Sequence, residues 1–146
     1  MINSTVKIPI EVSARHVHLS KEHVDKLFGT GYHLTPVKML SQPGQFAAEE
    51  TVTIRGPKDD LEDVRILGPV RSKTQVEVSQ TDQYSLGLKV PIRPSGSLED
   101  SPGVTILGPA GKVELSQGVI TAVRHIHMTP DDAQKIGVSD RYVVRV

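Results

Sequence analysis

The sequence predicts a mainly β fold of the barrel or sandwich type, and three observations carry that expectation. Several short stretches alternate apolar and polar residues with the two-residue period of a half-buried strand. Gly-Pro pairs at Gly56-Pro57, Gly68-Pro69 and Gly108-Pro109 separate these stretches as turns. Aromatic residues make up only 3% of the 146 residues, so Val, Ile and Leu must fill the core.

In chain order, Val6, Ile8, Ile10 and Val12 alternate with polar neighbours. The same parity runs on into His16 and His18, so an unbroken strand would carry both histidines on its buried side. Ser20 then suits a helix N-cap, Glu22 suits the positive end of the helix dipole, Leu19 can staple onto Val24, and Gly29 ends the short helix. Further strands are expected near 51–55, 63–67, 74–79, 103–107 and 112–115. Within 74–79, Val76 and Val78 face one side while Gln75 and Glu77 face the other. A strand over 119–127 leads through Val119, Thr121 and Val123 to His125 and His127. Thr129 caps a second short helix with Pro130 in its first turn, acidic Asp131 and Asp132, a staple from Met128 to Ala133, and Gly137 at its end. Tyr142 to Val146 has strand character, with nothing after it to pair. Either another part of the chain covers that edge or the sequence is a shortened form of something longer, and an uncovered edge favours a homodimer.

One pattern occurs twice. Arg15-His16-Val17-His18-Leu19-Ser20 and Arg124-His125-Ile126-His127-Met128-Thr129 together hold four of the six histidines. Residues i and i+2 of a strand share a face, so each pair can present two imidazoles to one metal ion. A lone His-x-His is more often two unrelated surface histidines. A second copy with the same leading Arg, β-branched centre, apolar residue and hydroxyl residue points instead to one shared metal site. Glu77 is a candidate partner, although an exposed strand carboxylate is the commoner fate. Arg71 follows Gly68-Pro69-Val70 and suits a phosphate or carboxylate, or else is a solvated surface charge; Lys58 and Arg65 carry the same ambiguity. His23 and His33 have no repeated context and read as ordinary surface or helix histidines.

Composition narrows the function further. Formal net charge is zero and the isoelectric point is near 7.0, which gives no support to nucleic-acid or anionic-membrane binding through bulk charge. No long apolar run or signal-peptide pattern appears, so a cytoplasmic location is expected. With no cysteine, disulfides, thiolate-bound zinc and a cysteinyl acyl intermediate are excluded, leaving His and carboxylate as metal ligands.

The strings Ser13-Ala14-Arg15-His16-Val17-His18-Leu19-Ser20, Leu40-Ser41-Gln42-Pro43-Gly44-Gln45-Phe46-Ala47-Ala48, Ile66-Leu67-Gly68-Pro69-Val70-Arg71, Thr74-Gln75-Val76-Glu77-Val78-Ser79 and Arg124-His125-Ile126-His127-Met128-Thr129-Pro130 resemble the PduL-type phosphate propanoyltransferases. The resemblance runs in order through nearly the whole chain. It implies a zinc-dependent phosphotransacylase that interconverts a short-chain acyl-CoA, propanoyl or acetyl, plus phosphate with acyl-phosphate plus CoA. It implies two small β-barrels capped by short α-helices: an incomplete, discontinuous barrel from 1–14 and 123–146, which contains both chain ends, and a central barrel from 15–122. Two zinc ions per chain are expected, with His16, His18, Glu77, His125 and His127 as ligands. Arg71 would hold phosphate, while Val12, Ser13, Ala14, Lys58 and Arg65 would line the CoA site. Tyr84 would stack on adenine, and Gln42 would lie near the site. Family members continue into a further segment with another zinc-ligating histidine and a CoA-site asparagine, so this sequence reads as lacking that piece, with one zinc site short of ligands. The family's placement in bacterial microcompartments uses an added amphipathic extension, for which five residues before the first strand are too few.

The residue types suit that chemistry. Phosphate attacks a thioester carbonyl, and a metal together with an arginine can stabilise the charge that develops. Without cysteine, direct attack in a ternary complex is the expected route. Two other classes fit the same residues: a non-catalytic zinc- and CoA-binding relative, and a zinc hydrolase acting through metal-bound water.

Overall fold

The computed structural model describes residues 7–146. They belong to two compact units, one running from Ala14 to Arg124 and the other made of the residues through Ser13 together with His125–Val146. The larger unit contains β1 (His16–Ser20), α1 (Lys21–Phe28), β2 (Pro36–Met39), β3 (Phe46–Arg55), β4 (Asp60–Arg71), β5 (Gln75–Glu77), α2 (Asp82–Leu86), β6 (Ile92–Arg93), β7 (Thr105–Gly108), β8 (Gly111–Glu114) and β9 (Val119–Ala122). The smaller contains α3 (Pro130–Ile136). The fold is mainly β with a few short helices.

The strands are joined in the order β6-β9-β5-β1-β4-β3-β7-β8, with β2 paired to β3. The sheet is mixed. β1 runs parallel to β4 and antiparallel to β5, and β9 is parallel to both β5 and β6. This interior position buries β1 on both faces. On one face, Val17 and Leu19 join Val64, Ile66 and Val76 in the apolar core, each contributing roughly 1.5–3 kcal/mol by leaving water. The other face carries His16 and His18, which are buried too.

The helix signals held. The Ser20 side chain accepts from the His23 N–H, and Val24 and Leu27, one turn apart, are fully buried against the sheet. Thr129 accepts from the Asp132 N–H, Pro130 lies in the first turn, and Gly137 closes α3 in the left-handed conformation at φ 74°. The strands expected near 51–55, 63–67, 103–107 and 112–115 are present as β3, β4, β7 and β8, and Pro109-Ala110 form the tight loop of the last hairpin.

Several expectations are corrected. Val6 lies outside the described residues, and residues 7–15 form no strand; Ile10 and Val12 are 82% and 96% exposed. Alternation alone does not make a strand when no described neighbour supplies a ladder of hydrogen bonds, and Pro9 also removes a donor. The strand expected over 119–127 stops at Ala122, where pairing with β6 ends, so His125 and His127 stand on non-strand backbone. Tyr142 to Val146 is not a strand and pairs with no strand among the described residues. Gly68-Pro69 is no turn but lies inside β4, with a cis peptide bond. There the register against β1 slips: His18 pairs with Leu67, but Ser20 pairs with Arg71, so β4 bulges at the Gly-Pro step. Two strands and a helix escaped the sequence reading. β2 is wholly exposed, β6 has two residues, and α2 is opened by a reciprocal Ser79–Asp82 cap.

Gly68 is buried with the Phe46 ring packed where its Cβ would be. Gly68→Ala is therefore expected to destabilise the fold by about 1–3 kcal/mol in chemical denaturation. Combined with Phe46→Ala it should cost less than the sum of the two single changes; additive costs would show that the ring does not set the limit.

Candidate metal centre

Strand register builds the site. Across the antiparallel pair of β1 and β5, His16 faces Glu77, Val17 faces Val76 and His18 faces Gln75. Side chains of facing residues share a side of the sheet, so two imidazoles, a carboxylate and a carboxamide crowd together opposite the apolar core. The His16 Nε2 lies 3.2 Å from Glu77 Oε2, and the His18 Nε2 lies 4.0 Å from Glu77 Oε1. One ligand atom from each of His16, His18 and Glu77 lies within 4.8 Å of the others, and all three residues are buried. The two rings meet edge to face with centroids 4.9 Å apart.

The donor set fits a small divalent cation. His16 Nδ1–H donates to the Ala14 carbonyl at 2.8 Å, which directs Nε2 at Glu77; that nitrogen becomes a ligand once a metal displaces the proton it shares with the carboxylate. The His18 ring likewise bonds to the Leu67 backbone carbonyl. Backbone carbonyls holding the far nitrogen are the usual support of metal-binding imidazoles. Tetrahedral zinc with bonds near 2.0–2.1 Å to nitrogen needs ligand atoms roughly 3.3 Å apart, so small side-chain adjustments would close this triad around it.

The charges are strongly coupled. Burial pushes the His16 ring down, but the Glu77 carboxylate and the Ala14 carbonyl outweigh it and hold the ring above its ordinary value. Burial, the Arg71 guanidinium and the His16 ring together push His18 down to about 3. Burial raises Glu77, yet the hydrogen bond and charge of His16 prevail and bring it down to about 2. His18 is thus a neutral ligand at physiological pH, and Glu77 is a carboxylate.

Around the triad, Gln75 is only 2% exposed. Its Nε2 donates to Glu77 Oε1 at 2.6 Å and to Ser95 Oγ at 3.0 Å, while its Oε1 accepts from the Gly96 N–H at 2.8 Å. Thr74 Oγ1 accepts from the Ser20 N–H and contacts His23 Nδ1 at 2.6 Å, so His23, a helix histidine on α1, is also anchored to the start of β5. Arg15, which leads the motif, pairs with the buried Asp82 of α2 at 3.0 Å. Arg71 comes near Ser95, Nη1 to Oγ 3.4 Å, and lines a cleft of about 300 Å³ with Pro43, Gly44, Gln45, Gly68 and Pro69.

The other predicted residues are distributed as follows. Arg65 pairs with His16 in the sheet, and its guanidinium donates to the Ala48 and Glu49 carbonyls at 2.8 and 2.9 Å. Lys58 is in the β3–β4 loop, at the opposite end of β4 from Arg71. Val12, Ser13 and Ala14 are exposed, Tyr84 is 71% exposed on α2, and Gln42 is half-buried beside Pro43. In the smaller unit, His125 and His127 form a second convergent pair, Nε2 to Nε2 3.0 Å, with rings edge to face at 4.6 Å. Sequence reasoning missed Gln75 and Ser95 as site residues. Gln75 was readable, since it stands two positions before Glu77 on one strand; Ser95 was not, because only the tertiary fold brings its loop to β5.

The pH response of the metal-free protein follows from these shifts. His16, being raised, stabilises the fold fully below its ordinary 6.5 and loses that contribution as pH rises through its folded value. Glu77, being lowered, contributes above 4.5 and loses its contribution as pH falls toward about 2. His18 contributes as a neutral ring above 6.5 and loses stability as pH falls toward about 3. NMR titration of the ring nitrogens should show His16 protonating above 6.5 and His18 unprotonated until near 3. A His18 midpoint near 6.5 would mean that its ring is solvated.

Comparison with known proteins gives the family. Residues 9–146 match the family described as phosphate propanoyltransferase. Among curated relatives of that name, the chain is 58% identical over 139 residues to the one from Thermotoga maritima, covering 95% of this chain and 66% of the relative. It is 56% identical over 131 residues to that of Rhodobacter capsulatus, covering 90% and 61%, and 56% identical over 137 residues to that of Clostridioides difficile, covering 94% and 66%. The chain therefore spans slightly under two thirds of the length of these relatives. No helix among the described residues is long and apolar enough to cross a membrane. The match over 9–146 and the identity to these relatives lead to one conclusion: the chain belongs to the phosphate propanoyltransferase family.

Proposed function

We propose that this chain transfers a short acyl group, propanoyl in the first instance, between CoA and phosphate, with His16, His18 and Glu77 holding a zinc ion beside the reacting carbonyl. The observation that carries the reading is the buried triad itself, within a chain matching the family over 9–146. In the forward direction a phosphate oxygen attacks the thioester carbon, the carbon–sulfur bond breaks, and CoA leaves as its thiolate. Zinc, when bound, supplies Lewis-acid polarisation of the carbonyl or stabilisation of the departing thiolate.

The protein's own groups do the rest. Arg71, at the rim of the cleft and flanked by Gly68-Pro69, orients phosphate with its planar fork and offsets its charge. Burial of the triad keeps bulk water from competing for the acyl group. No cysteine is available in this chain to carry an acyl intermediate, which favours direct attack in a ternary complex. Val12, Ser13 and Ala14 receive CoA beside the first His-x-His motif, and Arg65 and Lys58, along the β3–β4 hairpin, meet its phosphates. His125 and His127 take a second zinc, their 3.0 Å Nε2 separation being suited to one shared ion. Two small barrels, one from 1–14 with 123–146 and one from 15–122, are the architecture that goes with this reading.

Zinc-loaded protein should form propanoyl-phosphate from propanoyl-CoA only when phosphate is added. Glu77→Gln is expected to lower zinc affinity by at least about 100-fold, the upper end of what losing mere supporting groups costs, and to abolish transfer. Arg71→Ala should raise the KM for phosphate about tenfold or more while leaving zinc affinity in place. CoA release without phosphate would identify a hydrolase instead, and tight zinc binding with neither reaction would identify a binding relative.

A further inference from the structure

We propose that Gln75 is the positioning residue of the metal centre: its carboxamide fixes the Glu77 carboxylate in the metal-binding orientation and locks the Pro94–Ser97 turn over the same side of the sheet. This deepens the zinc reading above and rests on it. The carboxamide satisfies both ends at once. Its N–H groups donate to Glu77 Oε1 and Ser95 Oγ, and its oxygen accepts from the Gly96 N–H. A carboxylate at one end and a backbone donor at the other fix which way the amide points.

The chemistry leaves little room for another side chain. Glutamate would set a carboxylate against Glu77, methionine would offer no donor, and asparagine would fall a methylene short. The turn is built to receive the amide. Ser97 N–H donates to Pro94 O at 3.1 Å, and Gly96 takes φ 90°, a conformation that L side chains rarely adopt and that directs its N–H toward Gln75. Because Gln75 faces His18 across the β1/β5 pair, one buried side chain touches the ligand carboxylate from its own strand and sits opposite a ligand imidazole. With Gln75 holding Oε1, Glu77 keeps Oε2 toward His16. Orientation by such a group, not only its ligands, sets how tightly a site of this kind binds metal.

Zinc affinity, measured by competition with a chromophoric chelator, tests this together with hydrogen exchange at the Gly96 amide in metal-free protein. Gln75→Met is expected to weaken zinc binding about 10–100-fold and to speed exchange at Gly96. Ser95→Ala, at an exposed position, should weaken zinc about threefold and leave Gly96 protected. Unchanged zinc affinity in folded Gln75→Met would overturn the proposal; should that variant not fold, unchanged affinity in Ser95→Ala would overturn it. If wild type binds zinc no better than Glu77→Gln, the zinc reading itself fails, while loss of Gly96 protection in Gln75→Met would still show that Gln75 holds the turn.

Discussion

Glu77 is a carboxylate buried in a mainly apolar unit, and a charge taken out of water costs several kcal/mol unless its partners are already in place. Three partners meet it: the His16 imidazole, the His18 ring and the Gln75 carboxamide. All are delivered by one structural fact, the register of β5 against β1. A slip of β5 by one residue would turn Gln75 and Glu77 into the apolar core and Val76 out of it, leaving His16 and His18 without their carboxylate. The same alternation that makes the core therefore fixes the site, and the two cannot be separated.

The rest of the larger unit serves that register. β4 flanks β1 on the side away from β5, so β1 has hydrogen-bonding neighbours on both edges and cannot fray. The bulge at Gly68-Pro69 makes β4 longer than β1 over the same span and brings Arg71 level with Ser20, at the end of the strand that carries the histidines. Ser20 then ends β1 and caps α1, whose Val24 and Leu27 clamp the apolar face. Thr74 ties the start of β5 to the same corner through the Ser20 N–H and His23. Charge follows from this packing. His18 is neutral because it is buried beside Arg71 and His16, and Glu77 is ionised because the His16 hydrogen bond and charge outweigh its burial; both are protonation states that metal binding requires.

Local signals were legible where the physics is local. The two cap-and-helix units read directly from Ser20, Thr129, Pro130, Gly29 and Gly137, because capping is decided within a few residues. Central strands were legible from alternation, as with Val76 and Glu77. What failed depends on partners far away in sequence. Ile10 and Val12 alternate but pair with no strand among the described residues, and Gly68-Pro69 has turn chemistry yet is held in a strand by β1 and β3. Glu77 as a metal ligand came from the family resemblance, since spacing alone equally allowed an exposed strand carboxylate. Gln75 shares its face and was overlooked because its partners, Ser95 and Gly96, arrive from a loop twenty residues on.

The account stands on His16, His18 and Glu77 meeting at one point, and the most direct test is anomalous diffraction at the zinc edge from crystals of the zinc-loaded chain. It predicts an anomalous peak about 2.0–2.2 Å from both Nε2 atoms and from a Glu77 oxygen. Zinc found elsewhere with this triad empty, or bound by the histidines while Glu77 points away, would contradict it.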